Sequence, residues 1–120
     1  MSLAGSILGR RGERRAEKFL RRKGYGIISR NFRTRHGEID LVCRDGDCLV
    51  FVEVKTRTAG GLGHPEDAVG AAKQEHLQYA AAQYVSQLRQ PPVQYRLDVI
   101  SIEKLPDGKE DIVHYENVTA

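Results

Sequence analysis

Two apolar-rich runs in residues 37–57 flank the tetrapeptide Arg44-Asp45-Gly46-Asp47, and no other stretch restricts the fold of this chain as tightly. Asp-Gly supplies the positive φ angles of a two-residue type I′ turn, so the runs read as a β-hairpin. With Arg44 facing Asp47, stepping outward pairs Cys43 with Cys48, Leu41 with Val50, Ile39 with Val52 and Glu38 with Glu53. Paired residues share a sheet face. One face then carries Ile39, Leu41, Cys43, Cys48, Val50, Val52 and Val54. The other carries Val42, Leu49 and Phe51 near the turn, and Glu38, Asp40, Glu53 and Lys55 at the far end. Apolar residues on both faces mark central strands covered from either side. The charges gather at one corner, where that cover ends.

The rest of the chain supplies the cover. Gly9, Gly12, Ala16, Phe19 and Leu20 recur at helical spacing, and Gly24 ends that helix. Residues 25–32 are rich in strand formers. The glycine-rich segment 58–63 lacks the Gly-Lys-Ser/Thr ending of a phosphate-binding loop. Leu77, Ala80, Ala81, Tyr84, Val85 and Leu88 then define the buried stripe of a second helix, which extends back to Lys73 and is ended by Pro91-Pro92. Residues 95–102 alternate as a strand, Pro106-Asp107-Gly108 turns, and residues 111–115 read as a short last strand. This order predicts an α/β fold with a central mixed sheet flanked by helices. At 120 residues it forms one domain, with a core at about 9–103 and an extension at 104–120.

No run is apolar enough for a membrane span, and the first eight residues lack the basic start and apolar core of a secretory signal, so a cytoplasmic location without a membrane partner is expected. Cys43 and Cys48 make neither a disulfide framework nor a zinc site. Their facing placement would permit a bridge, but in a reducing compartment free, packed thiols are expected. Charge is uneven. Residues 1–35 hold 11 Lys and Arg against Glu13 and Glu17, while the remaining 85 residues are net acidic, although the whole chain is only +3. Arg10, Arg11, Arg14, Arg15, Lys18, Arg21 and Arg22 fall on one arc of the first helix without interleaved acids. That exceeds what solubility needs and points to phosphate contacts with nucleic acid.

Glu38, Asp40 and Glu53 at one corner repel one another unless a positive charge stands among them. Lys55, on the face of Glu53, is one such charge, and a hard dication such as Mg²⁺ or Mn²⁺ is the other. A metal held by Asp40 and Glu53 would activate a water, while Lys55 would position it or stabilise developing negative charge. Such equipment suits phosphodiester hydrolysis. The same alternation also fits a solvated rim of ion pairs contributing roughly 0–1 kcal/mol each. Against the rim stand the like-charge pair Glu38–Glu53 and the run Leu49-Val50-Phe51-Val52 leading into Glu53, which is too apolar for an outer strand.

Gly37-Glu38-Ile39-Asp40-Leu41-Val42 followed by Val50-Phe51-Val52-Glu53-Val54-Lys55-Thr56-Arg57 resembles the PD-(D/E)xK signature of the restriction-endonuclease-like superfamily. With Gly12-Glu13-Arg14-Arg15-Ala16 in its first helix, the chain resembles the YraN-like family of bacterial proteins over residues 9–103. The resemblance implies an αβββαβ core, Mg²⁺-dependent nucleic-acid cleavage and kinship with archaeal Holliday-junction resolvases. It implies Asp40 and Glu53 as metal-binding acids, Lys55 as the catalytic lysine and Glu13 as an additional acid from the first helix; Glu38 is read as supporting them from its place at the corner. Lys73 and Gln74 fall near a polar helix position of related nucleases, although Tyr79 comes one place late for the Gln-x-x-x-Tyr spacing of one branch. Ile39 stands where the motif name has proline.

Two functions follow: a metal-dependent endonuclease acting on DNA, branched or damaged forms included, or a nucleic-acid-binding module that keeps the fold without catalysis. A branched substrate calls for a homodimer with two sites. His36 and His64 border the corner and read as polar surface residues. Asp98 is either a partner of the site or an exposed edge residue.

Overall fold

A computed structural model describes the backbone of residues 3–58, 71–92 and 94–118, and the side chains of 11–57, 75–92 and 94–118. Its elements are α1 (Leu3–Arg22), β1 (Gly26–Arg33), β2 (Glu38–Asp45), β3 (Cys48–Thr58), α2 (Ala71–Ser86), β4 (Gln94–Lys104) and β5 (Glu110–Tyr115). The five strands form one sheet in the order β1-β2-β3-β4-β5. Neighbours are antiparallel except β3 and β4, which run parallel. Parallel neighbours need a crossover, and α2 lies in that connection. The extension past residue 103 is therefore part of the sheet, with β5 as its edge. Among the described residues no helix is long and apolar enough to cross a membrane.

Each helix covers one sheet face, as the two-sided hairpin requires. Ala16 and Leu20 of α1 pack on Leu41, Cys43, Val50, Val52, Ile100 and Ile102. Leu77, Ala80 and Ala81 of α2 pack on Ile39, Val42, Leu49, Phe51 and Leu97. Each fully buried Leu, Ile, Val or Phe contributes roughly 1.5–3 kcal/mol, so both faces are needed to hold a sheet this small. Gly12 sets the approach of α1: a Cβ there would fall 2.2 Å from Thr56 Oγ1. Leu88 lies past the end of α2 and is exposed rather than part of its stripe.

The hairpin forms in a different register from the one its turn sequence predicts. Asp45 pairs with Cys48, Arg44 with Leu49, Val42 with Phe51 and Leu41 with Val52. Gly46 and Asp47 are thus the loop residues, and of the two only Gly46 takes positive φ, at +59°. That is the type II′ pattern, which places glycine first. A shift of two leaves faces unchanged but alters which residues oppose. Cys43 faces Val50 and Cys48 faces Asp45, and both thiols are buried and free. Carried outward, this register sets Asp40, not Glu38, opposite Glu53.

Candidate functional site

The corner exists because two strands change face together. Leu41 packs under α1, whereas Ile39, two residues away, packs under α2; regular alternation would have kept them on one face. In β1, Arg30 opposite Leu41 reaches Glu17 of α1, while Phe32 opposite Ile39 meets the Tyr84 ring of α2 at 5.1 Å. Between them Asn31 adopts φ +53°, a left-handed conformation that asparagine tolerates better than most side chains. The β2–β3 pairing stops at Leu41 and Val52. Asp40 follows, and its Oδ2 accepts the Val54 backbone N–H at 2.7 Å. A carboxylate thus caps the point where the strands part.

Around that cap other acids converge from three elements. With its nitrogen toward the acids, the Asn31 amide donates to both Glu13 oxygens at 3.2 Å and to Glu38 at 3.3 Å. Glu13 and Asp40 stand close enough for each to perturb the other's carboxyl. Glu53 is buried, and its Oε1 is 3.1 Å from the Lys55 ammonium. Arg33 stands 3.6 Å from Glu38 at the rim. Gly37, Glu38, Asp40, Glu53, His76 and Leu77 line a cleft of about 160 Å³.

Charge crowding acts on two of these carboxyls, Asp40 and Glu13. Burial, then Glu53, push the Asp40 carboxyl up to about 7; Glu13 and Glu38 add to the rise and the Val54 hydrogen bond opposes it. Burial, then Glu38, raise Glu13, against hydrogen bonds from Asn31 and Asp40. The corner thus gathers protons or cations. Among the described residues, no three His, Cys, Asp or Glu groups are already grouped to hold an ion by themselves. Mg²⁺ does not demand such a cage, because it binds through one or two carboxylates and retains waters. Asp40 and Glu53, hard oxygen donors lining one cleft with surplus negative charge, fit that demand.

Other expected site residues are scattered. Arg11, Arg14, Arg15, Lys18, Arg21 and Arg22 are exposed along α1. The side chains of Arg10, Lys73 and Gln74, and all of His64, lie outside the described residues. The basic arc does contain an acid: Glu17 pairs with Arg21 at 3.5 Å and with Arg30. Asp98 is neither an exposed edge residue nor a member of the corner. Fully buried, it accepts from His114 Nε2 at 2.7 Å, the Asn117 backbone N–H at 2.9 Å and Arg96 Nε at 3.0 Å. This cluster ties β5 to β4. His36 packs edge-on against Tyr79, with ring centroids 4.9 Å apart. The sequence reading missed Asn31, whose only local signal is an asparagine interrupting a run of strand formers.

The uncharacterised protein family UPF0102 matches residues 12–102, a span that contains Glu13, Asn31, Glu38, Asp40, Glu53 and Lys55. A UPF0102 protein of Symbiobacterium thermophilum is 49% identical over 85% of this chain and 86% of its own length. One of Geobacter metallireducens is 50% identical over 85% and 84%. Another, of Chlorobaculum tepidum, is 42% identical over 91% and 84%.

Proposed function

The chain belongs to the UPF0102, or YraN-like, family, and on that footing we propose that it is a metal-dependent nuclease that hydrolyses phosphodiester bonds, with DNA as the expected substrate. The observation that carries this reading is the parted β2–β3 ladder, where Asp40 is pushed up to about 7 by burial and then Glu53, with Lys55 alongside Glu53. A merely solvated rim would leave its carboxylates in water near their ordinary values.

Asp40 and Glu53 would hold Mg²⁺ or Mn²⁺, which when bound supplies Lewis acidity toward a phosphoryl oxygen and a more acidic water. The chain's own groups do the remaining work. The Val54 N–H holds Asp40 Oδ2 in place, so the carboxylate is oriented before any ligand arrives. Lys55 Nζ, partly exposed beside the cleft, stabilises the charge that develops on the non-bridging phosphate oxygens. Glu13, raised by burial and held by Asn31, would accept the proton of an attacking water at its carboxylate. Cations from among those exposed on α1 contact backbone phosphates.

The test is incubation with labelled linear, single-stranded and four-way-junction DNA, with and without Mg²⁺ or Mn²⁺, beside Asp40→Asn. Cleavage that requires both the metal and Asp40 supports the nuclease. Binding without cleavage on every substrate, unchanged in Asp40→Asn, would leave the non-catalytic module in its place. Junction cleavage further requires a homodimer, which light scattering would detect.

A further inference from the structure

A second cleft, of about 440 Å³, lies between α1 and the sheet where β3, β4 and β5 run past it. Arg11, Arg14, Arg15 and Lys18 line it from the helix and Lys104 from β4. Five cations from two elements face one acid, Glu110 of β5, whose carboxylate holds Arg15 at 2.8 Å. The cleft borders the acidic corner along both of its walls: Gly12 and Thr56 also line it, and each precedes or follows a corner residue, Glu13 and Lys55, in the chain. Arg14 lines this cleft and also the one containing Glu13 and Asn31.

We propose that this groove is a phosphate-binding subsite for the backbone of the nucleic-acid strand whose scissile bond lies at the corner. The inference rests on the nuclease reading for the identity of the strand, and on the groove's own charge for the rest. A concave basic surface focuses its field more than an exposed arc does. Arg11 to Lys18 spans about 10 Å at the helical rise of about 1.5 Å per residue, the axial length of about three nucleotides at about 3.4 Å each. Glu110 occupies the groove with an anionic group before the strand does. A phosphate entering it must compete for Arg15. Arg22 does not line the groove, so the groove, rather than the whole basic arc, carries the contacts.

The test measures binding of a fluorescent DNA duplex by anisotropy, in EDTA so that no cutting intrudes, across a series of salt concentrations. Lys18→Ala and Lys104→Ala should each lower the slope of log affinity against log salt by about 0.9 and weaken binding roughly eightfold near 0.1 M salt. Glu110→Gln should tighten binding, because it frees Arg15 and removes the opposing charge. Arg89→Ala, beyond the end of α2, serves as the unaffected control, and thermal melts verify that every variant is folded. Unchanged slopes in the two lysine variants overturn the groove, as does an Arg22→Ala loss as large as that of Lys104→Ala. Asp40-dependent cleavage with unchanged slopes would keep the nuclease and remove the groove. Reduced slopes without cleavage would do the reverse.

Discussion

Replacing Asp40 with Asn should make the metal-free protein more stable while it abolishes cleavage. Burial and then Glu53 push this carboxyl from 3.8 to about 7, so the folded state binds its proton more tightly than the unfolded chain does. The sign is opposite to that of an ordinary ion-paired carboxylate: the group costs nothing below the unfolded value, and destabilises increasingly as pH rises through the raised one. A shift of about three units corresponds to a ceiling of about 4 kcal/mol. Water reaching the cleft reduces it, so a gain of about 1–3 kcal/mol is expected for the variant near pH 8. Asn keeps an oxygen for the Val54 amide, which limits the structural change to charge. Urea denaturation in EDTA reads the effect. The two proteins should unfold together near pH 4 and diverge between about pH 4 and pH 7. Mn²⁺ should restore the wild type by about 2.7 kcal/mol at a hundred times its dissociation constant and leave the variant unmoved. A variant less stable than the wild type at high pH, or a difference that ignores pH, refutes the account of a charge-crowded corner.

Three further outcomes follow from particular contacts. Lys55→Gln should lower metal-dependent cleavage by about 10²–10³-fold, judged from what one transition-state donor contributes elsewhere, with duplex affinity in EDTA close to wild type. Gly12→Ala should destabilise by about 1–3 kcal/mol through overpacking, since its Cβ would meet Thr56 Oγ1 at 2.2 Å; adding Thr56→Ala should recover most of the loss in a thermal melt. Asp98→Ala should cost about 3–5 kcal/mol, because a buried charge pair loses one partner. Burial opposes ionisation of Asp98, but His114, the Asn117 amide and Arg96 together hold its carboxyl below the usual range. Its contribution is present above the unfolded value of about 3.9 and disappears as pH falls through the lower folded one, so an acid titration of stability should lose that limb in the variant.

Element types were legible because they depend on neighbours in the chain. The spacing of Gly12, Ala16 and Leu20 is enough to specify a helix with one buried side, and the apolar runs on either side of Asp45-Gly46 specify a hairpin covered on both faces. Charge order along residues 38–55 was sufficient to bring Asp40, Glu53 and Lys55 to one end of it, since a slip of two in register does not itself exchange the faces. Register itself was not legible. Type I′ and type II′ turns both accept Gly46 at positive φ, and the choice is decided by how β2 and β3 dock against β1, β4 and the helices. Nor could alternation foretell that Ile39 and Leu41 would face opposite helices, because that switch depends on Asn31 of another strand entering the left-handed region across from Asp40. The union of Glu13, Asn31, Glu38 and Asp40, and that of Lys18, Lys104 and Glu110, joins residues far apart in the chain. Local pattern carries no term for such distances, and only the packing of α1 across the finished sheet sets them.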